Sequence, residues 1–248
     1  MDPREGNRCL ICTSISWVAV RCIGLLVEMN LPPEPCLVID GSARRGIDVG
    51  VYKNQSWLSH ASAEEGALEG LWQATEKALQ EARLSLKDVR SFALCVGPGS
   101  MLGIRITALA VRTWSALEKR PIYVWETLPV LAQVILQRGG RTKPFLALTE
   151  SRMKRWHAIH VNPLSQPAIV WQKELSVEEV KAEKLPLLVT SESAQTVFAE
   201  SELCAPVWPD LPLILAQGDS LRLEPKPDAL NAATDYATWS GERHRGNS

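Results

Sequence analysis

Apolar and polar positions along this chain switch between a period of two and a period near 3.6, and the switches mark its elements. Cys36 to Asp40 is a short apolar run and predicts a strand. After a turn at Gly41 to Arg45, residues Gly46 to Tyr52 alternate through Ile47, Val49 and Val51 as a half-buried strand does. Gln55 to His60 completes a three-stranded meander. Ser62 and Glu65 have the spacing of a capping box, and a long helix is expected from Ser62 to Arg83. Leu84 to Arg90 connects it to a buried strand, Ser91 to Val96. The strand breaks into Gly97-Pro98-Gly99-Ser100 and re-emerges as a helix, Met101 to Glu118. Pro121 to Trp125 predicts a strand, and Leu128 to Gln137 a helix closed by Gly139-Gly140.

The second half repeats this order more faintly. Pro144 to Thr149, Trp156 to Val161 and Pro167 to Gln172 predict strands. Ser176 to Lys184 predicts a helix, Leu185 to Thr190 a strand and Ala194 to Glu200 a short helix. Three meander strands followed by α/β alternation is the ribonuclease H-like order, used twice over in actin-like kinases and ATPases. The expected fold is therefore α/β, a ribonuclease H-like tandem of two domains of the actin-like ATPase superfamily, the second smaller and degenerate. The expected boundaries are an N-terminal extension at 1–34, a first domain at 35–140, a second at 141–217 and a polar tail at 218–248 carrying Pro225 and Pro227.

Two stretches carry more than fold. In the 62–83 helix, Leu68, Leu71, Trp72, Leu79 and Ala82 form one stripe, and Ala67, Gly70, Ala74 and Ala78 form a small-residue stripe beside it. Together they span about half the circumference, where a helix lying on its own sheet needs less. Two readings stand: a deeply seated core helix, or an alanine side that admits a helix of another chain. In the glycine turn, Gly97 and Gly99 permit positive φ and Pro98 fixes its own. Ser100 is placed to cap the amide of Gly103. A glycine in a first helical turn costs about 1 kcal/mol against alanine, so Gly103 marks a close backbone approach. Beyond it the helix is apolar on nearly all sides, through Ile104, Ile106, Leu109, Val111, Trp114 and Leu117. Its own protein or a partner must cover it.

The 248 residues carry a net charge of -1 and are 46% hydrophobic, enough for one sizeable domain or two small ones. A free-standing nucleic-acid binder would show a basic stripe, so that class is disfavoured. The nine Trp are spread along the chain, as core or interface residues are. Residues 1–31 pair Arg4 and Arg8 with apolar runs interrupted by Arg21, which makes a poor membrane span. Met29 as the true initiator is the leading expectation; a genuine extra segment and a signal peptide are the alternatives. Cys9 and Cys12 form a lone C-x-x-C without a second pair. Cys36, Cys95 and Cys204 sit in apolar runs as buried free thiols of a reducing, cytoplasmic compartment.

Chemistry is sparse. Asp40 ends the first strand, where a nuclease would place a metal ligand, but the central strand ends without an acid, and Glu64, Glu65 and Glu69 belong to the long helix's start or polar face. An actin-like ATPase needs a phosphate-cradling turn in each half. Asp40-Gly41-Ser42 is one; the equivalent Thr149-Glu150-Ser151-Arg152 has no glycine. The turn at 97–100 is neither a Walker A motif nor a dinucleotide fingerprint. It either offers amides to an anion or serves helix–strand packing. His157 and His160 point to opposite faces of a strand and cannot share a metal. No Ser/His/Asp or Cys/His set assembles, so no catalytic or metal-ligating residue is expected.

The run Val96-Gly97-Pro98-Gly99-Ser100-Met101-Leu102-Gly103-Ile104-Arg105-Ile106 resembles the G-P-G-S-F-T-G-L-R-I signature of the bacterial TsaB (YeaZ) family of tRNA threonylcarbamoyladenosine biosynthesis proteins. Leu37 to Ser42 resembles that family's opening strand and turn, Leu84 to Val89 its segment before the central strand, and Ala147 to Trp156 its second-half Asp-Ala-Arg turn. The likeness is good over 35–160 and faint beyond. Met101-Leu102 replaces Phe-Thr, Glu150-Ser151-Arg152 replaces Asp-Ala-Arg, and Tyr236-Ala237-Thr238-Trp239 stands in for a Tyr-Leu-Arg ending.

The resemblance implies a non-catalytic partner of a TsaD-type ligase, which places threonylcarbamoyl on adenosine 37 of tRNAs. It implies pairing with that ligase through the two N-terminal-domain helices, recruitment of a TsaE-type ATPase, tRNA contact only through the complex, and a homodimer through the same surface. It implies no cofactor of its own, with ATP and a metal ion confined to the partner subunits, and no membrane. The interface residues would be Ala67, Leu68, Gly70, Leu71, Trp72, Ala74, Ala78, Leu109 and Trp114. The loop of Gly97, Pro98, Gly99, Ser100, Gly103 and Arg105 would be structural or anion-holding.

Overall fold

A computed structural model describes residues 31–151, 153–204 and 207–228. The expectations about Met29, Cys9, Cys12, Arg152 and Tyr236 to Trp239 lie outside them. Strands β1 (Cys36–Asp40), β2 (Ile47–Lys53) and β3 (Ser56–Ala63) form the antiparallel meander, with β1 paired to β2 and β2 to β3. Helix α1 (Ala67–Glu81) follows, then β4 (Ser91–Cys95), α2 (Met101–Leu117), β5 (Ile122–Trp125) and α3 (Thr127–Arg138). β4 lies parallel to β1 and β5 parallel to β4. The second unit has β6 (Phe145–Glu150), β7 (Trp156–Val161), β8 (Ile169–Leu175), α4 (Val177–Ala182), β9 (Leu187–Val189), α5 (Glu192–Val197) and β10 (Glu202–Leu203).

The strand orders are β3-β2-β1-β4-β5 and β8-β7-β6-β9-β10, the same topology twice. This is the expected ribonuclease H-like order in tandem, with the second copy built from shorter pieces. Alternation explains how each sheet is covered. Leu37 and Ile39 of β1 face α1 and α2, whereas Cys36 and Val38 face the opposite layer. α3 sits between the sheets: Val130 and Val134 pack on the first, Leu128, Leu131 and Ile135 on the second. An all-round apolar helix is the sequence such a position demands.

Three expectations change. The long helix begins at Ala67, not Ser62, because β3 continues to Ala63 and the Ser62 hydroxyl donates to the Asp48 carboxylate. Gly66 is the N-cap and makes no side-chain bond, so there is no capping box; a capping box forms instead at Ser176 and Glu179. Ala74 and Ala78 are fully buried in this chain's own core, and a Cβ on Gly70 would meet Ala63 and Ile47. Gly70, Ala74 and Ala78 therefore seat α1 on its own sheet and offer no seam to another chain, while Ala67 at the helix start is half-buried.

The 218–248 tail is not loose at its start. After α6 (Leu211–Leu215), whose Leu211, Ile214 and Leu215 are buried against the first sheet's second face, β11 (Arg222–Leu223) pairs antiparallel with β5. The chain thus returns to the first unit after completing the second. Trp208 helps hold this return: its carbonyl accepts from Trp57 Nε1 at 2.8 Å, and its ring stacks 4.8 Å from His60. Among the described residues no helix is long and apolar enough to cross a membrane.

Candidate functional site

The glycine turn is shaped by packing between helix and strand. Gly97 has φ 103°, a conformation that favours glycine. Ser100 Oγ accepts from the Gly103 amide at 3.3 Å, the cap that the sequence predicts. The Ser100 amide donates to Ser42 O at 2.7 Å. A Cβ on Gly103 would lie 2.1 Å from Gly41 O, and one on Gly41 would meet the Gly103 backbone at 2.9 Å. The first-unit turn and the helix start are thus pressed together, backbone to backbone. The Ser100 and Gly103 amides are engaged within the chain. Arg105 Nε lies 3.5 Å from the Asp228 carboxylate.

Asp40 and Cys95 lie beneath this turn. Asp40 accepts from the Ser42 amide at 2.8 Å. Enclosure pushes the Asp40 carboxyl above the ordinary carboxylate range, against the pull of the Ser42 hydrogen bonds. Burial pushes the Cys36 thiol to about 12 and Cys95 well above its usual value, so both stay protonated. Cys204 is only partly buried, contrary to expectation, and is raised to about 11 by burial.

A folded pKa raised above the unfolded one gives stability that is complete below the ordinary carboxylate range and lost as pH rises through the folded value. Asn at this position keeps the acceptor and cannot ionise. Asp40→Asn is therefore expected to melt no lower than the parent at neutral pH, with an advantage that shrinks towards acid. Thermal melts across pH check this, and a variant that melts lower throughout would contradict it.

Between the two units runs a cleft of about 1170 Å³. Ser42, Arg44 and Gly99 line it from the first unit, Glu150, Ser191 and Ser193 from the second. Glu150 ends β6 as Asp40 ends β1. Its carboxylate takes Arg44 Nη2 at 2.6 Å, Ser191 Oγ at 3.4 Å and the Ser193 hydroxyl. The place of Glu150 at the turn was legible from its position at the end of β6, but these partners were not. Their only advance signal is the matching strand-end position, since Arg44 and Ser193 lie far from it along the chain.

The histidines of β7 face apart as expected: His157 lines the cleft, while His160 packs edge-on to Trp171. A Ser/His/Asp group does assemble, against expectation. Asp48 Oδ1 is 2.9 Å from His60 Nε2 and also accepts from Ser62 Oγ. The same ring nitrogen, Nε2, faces both Asp48 and the Ser62 hydroxyl, the latter at 3.5 Å, and that hydroxyl donates to the carboxylate. A nucleophile relay needs the two ring nitrogens to serve Asp and Ser separately, so this is none. Among the described residues no three His, Cys, Asp or Glu side chains converge as a metal site.

The outer face of α1 and α2 is the other feature. Leu71 and Trp114 are buried in the core, but Leu68, Trp72 and Leu109 are 61%, 56% and 64% exposed. The Trp72 ring rests edge-on against Trp114, with centroids 5.5 Å apart. Trp114 in turn packs on Phe92 of the central strand. Leu102 and Leu117, at the two ends of α2, are also exposed. Single exposed leucines are ordinary; an exposed Trp held by a buried one beside two leucines is an interface anchor in form.

Residues 62–162 match the family model for TsaD, tRNA N6-adenosine threonylcarbamoyltransferase. The enzyme of that name from Thermodesulfovibrio yellowstonii is 32% identical over 85 residues. The match takes in 34% of this chain and 26% of the relative, so the chain spans about a quarter of that protein's length. The solved structure of YeaZ from Pseudomonas aeruginosa superposes with a TM-score of 0.56 at 21% identity, covering 73% of this chain and 89% of that one. A second structure, described as an uncharacterized protein from Pseudomonas aeruginosa with similarity to peptidase YEAZ, gives the same values. At that identity the likeness shows the fold.

Proposed function

We propose that this chain, whose residues 62–162 match the TsaD family model, is a non-catalytic accessory subunit in the modification of tRNA adenosine with threonylcarbamoyl. The observation that carries the proposal is the exposed Leu68–Trp72–Leu109 surface on α1 and α2. Both helices fall inside the matched region and lie on a fold shared with YeaZ. In this reading the surface docks a TsaD-type ligase. A TsaE-type ATPase joins the pair, and tRNA is met only through the assembly. ATP and the metal ion act in the partners, and the complex is cytoplasmic.

The cleft supports the absence of turnover. A phosphate-handling cleft of this architecture needs free backbone amides at both strand-end turns. Here the Ser42, Ser100 and Gly103 amides at the first turn are engaged within the chain, and the second has Thr149, Glu150 and Ser151 in place of glycine.

Reconstitution tests the proposal. The TsaD-type ligase and the ATPase of the same cell, mixed with tRNA, threonine, bicarbonate and ATP, should modify adenosine only when this chain is added. The chain alone should hydrolyse no ATP. Full modification without it, or turnover by the chain alone, would overturn the assignment. A second reading, self-association through the same surface, is favoured by the same exposed residues. Sedimentation with and without the ligase separates the two, because docking of the ligase must displace the second copy.

A further inference from the structure

We propose that Glu150 is an internal anion: its carboxylate fills an oxyanion-binding set formed by Arg44, Ser191 and Ser193, and its removal opens a site for phosphate in the cleft. Both carboxylate oxygens are engaged. Oε2 takes the Arg44 guanidinium at 2.6 Å, while Oε1 accepts from Ser191 Oγ at 3.4 Å and from Ser193 Oγ. The donors come from both units, Arg44 from the β1–β2 turn and the serines from the start of α5. A guanidinium and two hydroxyls converging on two oxygens is also how a protein holds a phosphate.

The pair does little for stability. Arg44 is 74% exposed, and an ion pair with so exposed a partner contributes little to folding. Glu150, only 16% exposed, is the covered partner and faces the cleft. Its charge repels any anion that approaches the same donors. These three side-chain donors are thus closed to phosphate by the Glu150 carboxylate, independently of the backbone amides at the strand-end turns. The inference concerns the isolated chain and stands apart from partner docking on α1 and α2.

Calorimetric titration of the purified full chain with inorganic phosphate tests it. The parent should show no saturable binding. Glu150→Ser, which adds a hydroxyl where the carboxylate was, should bind phosphate at least about tenfold more tightly than the parent. Arg44→Ala in the Glu150→Ser background should abolish that gain. Circular dichroism on the same samples reports folding, and Glu150→Ala serves if the serine variant is unfolded. Amide exchange of residues 41–46 in the unaltered parent is the companion measurement: added phosphate should leave it unchanged. The proposal is overturned by a folded Glu150 variant that binds no better than the parent. It is equally overturned by a gain that survives loss of Arg44, a gain seen with ATP but not with phosphate, or phosphate protection of 41–46 in the parent.

Discussion

Gly103→Ala is expected to remove cooperative folding, or to lower stability by about 3–5 kcal/mol where a transition survives. The added Cβ would stand 2.1 Å from Gly41 O. The obstacle is backbone on both sides: Gly41 itself is hemmed by Thr107 Cγ2 at 2.8 Å and the Gly103 carbonyl at 2.9 Å. No flexible side chain can move aside, so α2 must lift from the end of β1. For a domain with about 5–15 kcal/mol in total, that is a large share. Gly66→Ser is the matched control. A Cβ there meets only the end of the Glu69 side chain, at 3.2 Å, and a serine N-cap gains a few tenths of a kcal/mol. Urea denaturation of the pair checks the prediction. Equal midpoints would show that the Gly41–Gly103 approach is not what holds helix to strand.

Trp72→Arg is expected to weaken docking of the ligase by about 2–4 kcal/mol, roughly 30- to 1000-fold in Kd, while folding stability moves by less than about 1 kcal/mol. The ring is more than half exposed and, among the described residues, its aromatic support is the edge contact with Trp114. Its loss leaves the core largely as it was. In a docked complex the same position would hold an unpaired guanidinium against apolar surface. Calorimetric titration of the ligase, with a urea curve for the variant alone, separates binding from folding. Unchanged affinity would remove the α1–α2 surface from the interface. Ala74→Arg cannot serve in its place: Ala74 is 1% exposed inside the core, and an arginine there unfolds the chain before any partner is met.

Most of the architecture was legible from period and punctuation. β1 and β4 are short apolar runs bounded by turn residues, and the Gly97–Ser100 turn announces both the end of a strand and the cap of a helix. The repeated strand order followed from the repeated pattern. What misled was local chemistry with two solutions. Ser62 and Glu65 have capping-box spacing, yet Asp48 on the neighbouring strand, fourteen residues away, claims the serine hydroxyl and β3 runs on. A small-residue stripe permits close approach without saying of what, and at Gly70, Ala74 and Ala78 the answer is the chain's own sheet. The exposed stripe beside it, Leu68 and Trp72, was visible in the same helix. The contacts of Glu150 were not, because they join the β1–β2 turn to a segment more than a hundred residues later.

The antiparallel pairing of β11 with β5 makes the second unit an insertion: the first is assembled from two separate lengths of chain, 36–138 and 207–223. The halves are therefore not interchangeable cassettes, and a graft made at the single link near residue 140 would carry away a strand and a helix that its donor still needs. During synthesis the larger sheet must wait, with one edge open, until the ribosome has finished the smaller one.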